Sequence, residues 1–309
     1  MIVIYILLGT FGLLSILFFI GLYLFYRYLF HTPKKGQNDD FKLYDIHIYR
    51  GIEGQITSLI KGIKEQPYED IYVTSFDKLK LHGRFYKNEE SNKVMICFHG
   101  YRGTAYRDFS GGATELIKFG FNVILVDERG HGQSEGHSIT FGKREQFDVL
   151  SWVNKAKELF GENIEIILLG ISMGAATILF AADKVDDNIK LVADSPYSTI
   201  EEIIGDGIKE FKLPVKLFFN IINLSSIIFG HTNLKNIDAS ISVKNSNHKV
   251  IIIHGDNDSV VNYHFSERVY LENKEKVQYE LFHNAEHGLS YIVDRDRYVK
   301  TLLDFINNF

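Results

Sequence analysis

Hydrophobic and polar positions divide the chain into three stretches. From Met1 to Tyr26 no side chain is charged, and Leu, Ile, Phe, Gly and Tyr dominate. As a helix rising ~1.5 Å per residue, this stretch is longer than the ~30 Å hydrocarbon core of a bilayer. From about Thr32 to Pro67, polar and charged residues mix with a short apolar pattern, which predicts a stalk with one helix around Gly54 to Ile63. From Tyr68 the character changes. Ile71–Val73 and Leu79–Tyr86 alternate apolar and polar residues around a turn at Asp77-Lys78, which predicts an antiparallel pair at a sheet edge. Six apolar runs follow, separated by helix-length segments: Val94–Phe98, Val123–Val126, Ile164–Leu169, Ile189–Ala193, Val250–His254 and Val277–Phe282. Strands alternating with helices predict an α/β fold, with a mostly parallel eight-stranded sheet covered on both faces.

The first stretch is read as an uncleaved transmembrane anchor over residues 1–30. A signal peptide would show a basic start, a shorter apolar run and a small-residue cleavage site. Tyr23, Phe25, Tyr26, Tyr28 and Phe30 cluster at its far end, as expected at a membrane–water boundary. Arg27, Lys34 and Lys35 follow, and this basic bias places the remainder of the chain in the cytoplasm. Residues 31–67 are then a stalk or linker, and 68–309 the α/β domain.

Between Pro196 and about Lys249 lies more chain than a simple connection needs. Ile200, Ile203, Ile204 and Ile208 recur at helical spacing after a Ser198-Thr199 start signal, with Glu201 and Glu202 in the first turn. A very apolar run from Leu213 to Phe229 follows, opened by Pro214 and interrupted by Lys216 and Asn220, which argues against a second span.

Net charge is −5, which implies no general attraction to nucleic acid. The single cysteine, Cys97, excludes an internal disulfide and sits in an apolar run as a small core residue. No His, Cys and carboxylate cluster has metal-ligand spacing, so no metal is expected.

Candidate chemistry falls at the ends of the predicted strands, where open α/β sheets place their sites. Gly170-Ile171-Ser172-Met173-Gly174 closes one strand and opens a helix, the G-x-S-x-G pattern that lifts a hydroxyl clear of the sheet. Its glycines leave room where a side chain would crowd strand and helix. The other signals are Phe98-His99-Gly100-Tyr101-Arg102-Gly103, Asp127-Glu128-Arg129-Gly130-His131-Gly132, His254-Gly255-Asp256-Asn257-Asp258 and Ala285-Glu286-His287-Gly288.

These five motifs, in this order, resemble the α/β-hydrolase superfamily. The similarity is to the group holding monoglyceride-lipase-like enzymes, serine-aminopeptidase-type hydrolases and membrane-anchored α/β-hydrolase-domain proteins. It covers roughly Tyr68 to the C-terminus, and it implies a helical cap at about 197–248 lying over the serine. It also implies a serine hydrolase acting on carboxylic esters, apolar or lipid-like, without a cofactor. Ser172 would be the nucleophile, His287 the base and Asp258 the acid that orients it. The oxyanion would be held by the backbone N–H groups of Met173 and Tyr101. Asp256 rivals Asp258, His283 rivals His287, and Asp194 is a further candidate acid. His99 and Gly100 are expected to order the oxyanion loop, and Arg129 and His131 to organise the loop beside it. An aminopeptidase or amidase, and a non-catalytic tethered scaffold, are the alternative functions. Two departures from the family pattern stand out. Val260-Val261-Asn262 follows the acid where a Val-Pro is usual, and Phe76-Asp-Lys-Leu79 lacks the usual Asp-Gly.

Overall fold

Short runs of β-branched and aliphatic residues form eight strands that pair into one sheet. The structure is a computed structural model and describes residues 1–32, 40–41, 43 and 47–308. Lys34 and Lys35, used above to orient the chain, lie outside the described residues. Helix α1 (Ile2–Leu29) comes first, followed by a single 3₁₀ turn (His47–Tyr49) and α2 (Glu53–Lys64). Then come β1 (Glu69–Thr74), β2 (Lys80–Tyr86), β3 (Lys93–Phe98), α3 (Ala105–Lys118) and β4 (Asn122–Val126). The middle of the chain holds α4 (Glu145–Phe160), β5 (Glu165–Ile171), α5 (Met173–Phe180) and β6 (Lys190–Asp194). An excursion of three helices follows: α6 (Ile200–Glu210), α7 (Val215–Gly230) and α8 (Ala239–Lys244). The chain closes with β7 (Val250–Gly255), α9 (Tyr263–Glu272), β8 (Val277–Phe282), α10 (Ser290–Val293) and α11 (Arg295–Asn308).

The strand order is β1-β2-β4-β3-β5-β6-β7-β8. Strand β2 runs antiparallel to both β1 and β4, and the strands from β4 to β8 pair in parallel. Both faces are covered, as alternate residues of β3 show. Val94, Ile96 and Phe98 join one core with Trp152 of α4 and Phe180 of α5. Met95 and Cys97 join the other, with Phe109 of α3 and Leu302 and Phe305 of α11. From β3 the chain moves to β4 on one side, then crosses back to β5 on the other. The loops after β3 and β5 therefore diverge at neighbouring strand ends, the crevice in which open α/β sheets hold ligands.

Helix α2 does not stand off from the domain. Its i, i+4, i+7 stripe Ile56, Ile60 and Ile63 is buried in the second core beside α3. Helix α1 is long and apolar enough to cross a membrane, and most of it is exposed. Its last two turns are different. Leu22, Tyr26 and the following Phe30 are buried, and Tyr23 and Tyr26 pack on Phe229 of α7 at 5.3 and 5.9 Å between ring centroids. Tyr26 and Phe30 thus belong to the protein core and not to an aromatic boundary. Tyr23, Phe25 and Tyr28 remain exposed.

Candidate active site

Ser172 sits between β5 and α5 with φ 56° and ψ −116°. That left-handed φ is costly for a serine and is held by its surroundings. Its own N–H donates to the Asp194 carbonyl at 2.8 Å, and its carbonyl accepts the first helical bond from Ala176 at 2.9 Å. The flanking glycines are sterically required. A Cβ on Gly174 would lie 1.9 Å from the Phe98 carbonyl oxygen of β3, and one on Gly170 would lie 2.4 Å from the α5 backbone. The N–H of Met173 opens helix α5, where no intrahelical acceptor exists for it.

On the acid–base side, Nδ1 of His287 lies 2.7 Å from Oδ2 of Asp258. The carboxylate is an acceptor, so Nδ1 carries the proton and Nε2 is left to receive another. Burial lowers the basicity of His287, but the charge and hydrogen bond of Asp258 outweigh it, and the net shift is upward from 6.5. Burial likewise disfavours the Asp258 carboxylate, yet the two histidines facing it, His287 and His254, hold its pKa well below the usual range. Its Oδ1 accepts the N–H groups of Val260 and Val261 at 2.9 and 2.8 Å. His254, at the end of β7, completes the set: its Nε2 lies 3.1 Å from Oδ2.

The rival residues form a separate pair. His283 Nδ1 bonds Asp256 at 2.7 Å, but that histidine is 77% exposed at its side chain and lies outside the cavity described below. Asp194 is fully buried, and burial pushes its carboxyl above the ordinary range. It accepts from Ser195 Oγ at 2.9 Å, and Ser195 Oγ in turn accepts the N–H of Gly288, the residue after His287, at 3.2 Å. Asp194 therefore reaches the histidine loop through Ser195.

The loop after β3 is braced from beneath. His99 Nε2 accepts the Glu128 N–H at 3.1 Å, so its Nδ1–H donates to the Gly100 carbonyl at 2.9 Å. Burial holds His99 below the usual histidine value, in its neutral form. The Gly100 N–H donates to Asp108 of α3 at 2.8 Å. A Cβ on Gly100 would come within 3.3 Å of Ser172 Cβ, which sets Ser172 against this loop. The loop after β4 is fixed by buried ion pairs. Asp127 accepts from Arg84 at 2.7 Å and lies 2.7 Å from His82, and Arg129 forks onto Asp148 with two 2.6 Å bonds. His131 packs edge-on against His99 at 4.7 Å.

Ser172, His287 and Tyr101 line one cavity of about 230 Å³, together with Asp108 and Asp194. No hydrogen bond joins Ser172 to His287 among the described residues; such bonds are often long in unliganded sites. The walls are largely aliphatic and aromatic: Phe109, Leu169, Ile171, Val260, Leu289 and Ile292. Ile48, Tyr49 and Ile56, from the segment read as a stalk, form part of the lining. Among the described residues, none between 197 and 248 lines this cavity, but Asp206, Lys209 and Glu210 of α6 line a neighbouring one with Asp258 and Val260. The buried apolar residues of those helices pack elsewhere, while Leu217 and Ile227 of α7 stay exposed. Ile200, Ile204 and Ile208 of α6 are buried in the first core, and α7 packs on α1. His254, Asp108 and the 48–56 segment were missed as site residues. His254 ends a strand within a recognised motif, and that was its one signal in the sequence.

No three His, Cys, Asp or Glu side chains converge to hold a metal among the described residues.

Comparison with known proteins gives the following similarities. Residues 89–225 match the family described as serine aminopeptidase, S33. The uncharacterized protein YqkD of Bacillus subtilis is 27% identical over 224 residues, covering 72% of this chain and 73% of that protein. The thiohydrolase aneE of Aspergillus aculeatus is 27% identical over 139 residues, 43% of each chain. Among solved structures, an esterase of Pyrococcus furiosus, Pf2001, superposes with a TM-score of 0.65 at 26% identity, covering 81% of this chain and 93% of that one.

Proposed function

From the premise that this chain belongs to the α/β-hydrolase superfamily, we propose that it is a membrane-anchored serine hydrolase of carboxylic esters with apolar acyl groups. Ser172 attacks the ester carbonyl as its proton passes to Nε2 of His287. The tetrahedral oxyanion is received by the N–H groups of Met173 and Tyr101. Collapse expels the alcohol, which takes the proton from His287 and leaves an acyl-serine. Water, deprotonated by the same imidazole, then releases the acid and restores Ser172. Asp258 holds the imidazole tautomer and stabilises the imidazolium.

The observation that carries this reading is the His287–Asp258 bond of 2.7 Å behind a histidine that shares a cavity with Ser172 on its strained turn. The apolar walls suit an acyl chain. The anchor is supported by the exposed apolar length of α1, and a cytoplasmic hydrolase domain by the basic residues Arg27, Lys34 and Lys35 that follow the apolar stretch in sequence. Exposed Leu217 and Ile227 on α7, which packs beside α1, suit a bilayer surface.

The matched family's description favours a second reading, an aminopeptidase or amidase. Parallel assays with p-nitrophenyl esters and aminoacyl-p-nitroanilides separate the two. Ester turnover that disappears in Ser172→Ala supports the first; turnover confined to the anilides supports the second.

A further inference from the structure

Helix α1 ends on the loop that carries Tyr101. The Tyr101 hydroxyl donates to the Leu29 carbonyl at 2.7 Å, and the Arg102 guanidinium donates to the Tyr28 carbonyl. The last carbonyls of a helix have no intrahelical donors, so these two bonds satisfy the end of α1 while they hold the loop. A cation at that end also complements the helix dipole. The Tyr101 ring stacks on Phe141 at 4.9 Å and 17°, and Phe30 packs edge-on against the same Phe141 at 5.9 Å. The chain just beyond α1 is pinned as well. Ile139 N–H donates to the Phe30 carbonyl at 2.8 Å, and Thr32 N–H to the His137 carbonyl at 3.0 Å. Arg102 itself has φ 53°, a left-handed conformation that a non-glycine residue keeps only under tertiary restraint. An anchor needed only for tethering would require none of these contacts.

We propose that the end of α1 is a positioning part of the catalytic machinery. Tyr101 and Arg102, by bonding the Leu29 and Tyr28 carbonyls, fix the loop whose Tyr101 N–H receives the oxyanion. This rests on the reading of Ser172 and Tyr101 given above. Both are positioning side chains: each acts through the backbone it holds and neither touches the reacting atoms.

The test uses full-length protein in lipid nanodiscs and three variants: Tyr101→Phe, which keeps ring and N–H, Arg102→Met, and Arg102→Lys. Turnover of a short p-nitrophenyl ester is measured beside the affinity for an alkyl boronic acid, whose tetrahedral adduct engages the oxyanion site. Because small misplacements of reacting groups carry large rate costs, Tyr101→Phe and Arg102→Met are each expected to lower kcat about tenfold with KM within about twofold. Boronic acid affinity should fall in parallel, and Arg102→Lys should recover much of the loss. A kcat and a boronate affinity within about twofold of wild type in both Tyr101→Phe and Arg102→Met overturn the proposal, since one donor in such a site is ordinarily worth ~10²–10³. Undiminished turnover in Ser172→Ala overturns instead the serine reading on which it stands.

Discussion

His254 and His287 bond the same oxygen of Asp258, at 3.1 and 2.7 Å. One histidine faces the cavity, and the other is wholly buried at the end of β7. The carboxylate is therefore held in a fixed orientation by four donors: these two imidazoles and the N–H groups of Val260 and Val261. Replacing His254 by Ala removes a hydrogen bond to a charged group, worth ~1.5–3 kcal/mol. We expect His254→Ala to lower kcat roughly tenfold and to destabilise the protein by about 2 kcal/mol. Steady-state kinetics and thermal unfolding in detergent read the two effects.

The pH profile follows from His287. In the proposed mechanism the histidine must be neutral to accept the serine proton, and its pKa is raised above 6.5 by Asp258 despite burial. Activity should therefore rise with pH through a limb lying above 6.5. In Asp258→Asn that limb should move to lower pH, because the raising charge is gone, and kcat should fall by up to ~10⁴ through the wrong tautomer. A limb that does not move in the variant assigns the titration to another group.

Much of this site could be read from the sequence because its geometry constrains residue type. The Ser172 turn needs Gly170 and Gly174, whose Cβ atoms would strike backbone, so the motif is visible in five letters. The strands were legible as well, because burial on both faces demands continuous apolar runs such as Val94–Phe98. What escaped notice depends on long-range contacts. Ile48, Tyr49 and Ile56 reach the cavity across more than a hundred residues, and no local period marks them as lining. The run 213–229 is apolar throughout, but composition does not say which neighbour each face will meet: Phe229 meets α1, and Phe219 and Ile222 are buried in the first core. The end of α1 was likewise read as a boundary in lipid, whereas Tyr26 and Phe30 are buried in protein.

The cavity lining makes a separate prediction about substrate choice. At about 230 Å³ it falls below the ~300–1,000 Å³ of ordinary ligand pockets, so wild type should favour short to medium acyl chains. Ile56→Ala removes lining and should shift the optimum of an acyl-length series toward longer esters. Leu217→Ala, on the exposed face of α7, should leave the optimum in place. The reverse pattern would return the acyl site to the excursion between β6 and β7.

Stability should depend on Asp127. Burial opposes its charge, but His82 and Arg84 hold it ionised far below the usual carboxylate pKa. A depressed folded-state pKa gives stability that is present above the unfolded value of ~3.9 and is lost as pH falls below it. Asp127→Asn leaves the largely buried Arg84 without its counter-charge and should cost about 3 kcal/mol near neutral pH. The variant should also lose less of its remaining stability than wild type between pH 5 and 3, a difference in slope that unfolding curves at several pH values resolve.

The proposed chemistry turns on one activated hydroxyl. Full-length protein treated with a fluorophosphonate probe, digested and analysed by mass spectrometry should carry the adduct on Ser172, and Ser172→Ala should carry none. A folded wild-type protein that never labels, or an adduct that persists in Ser172→Ala, would contradict it.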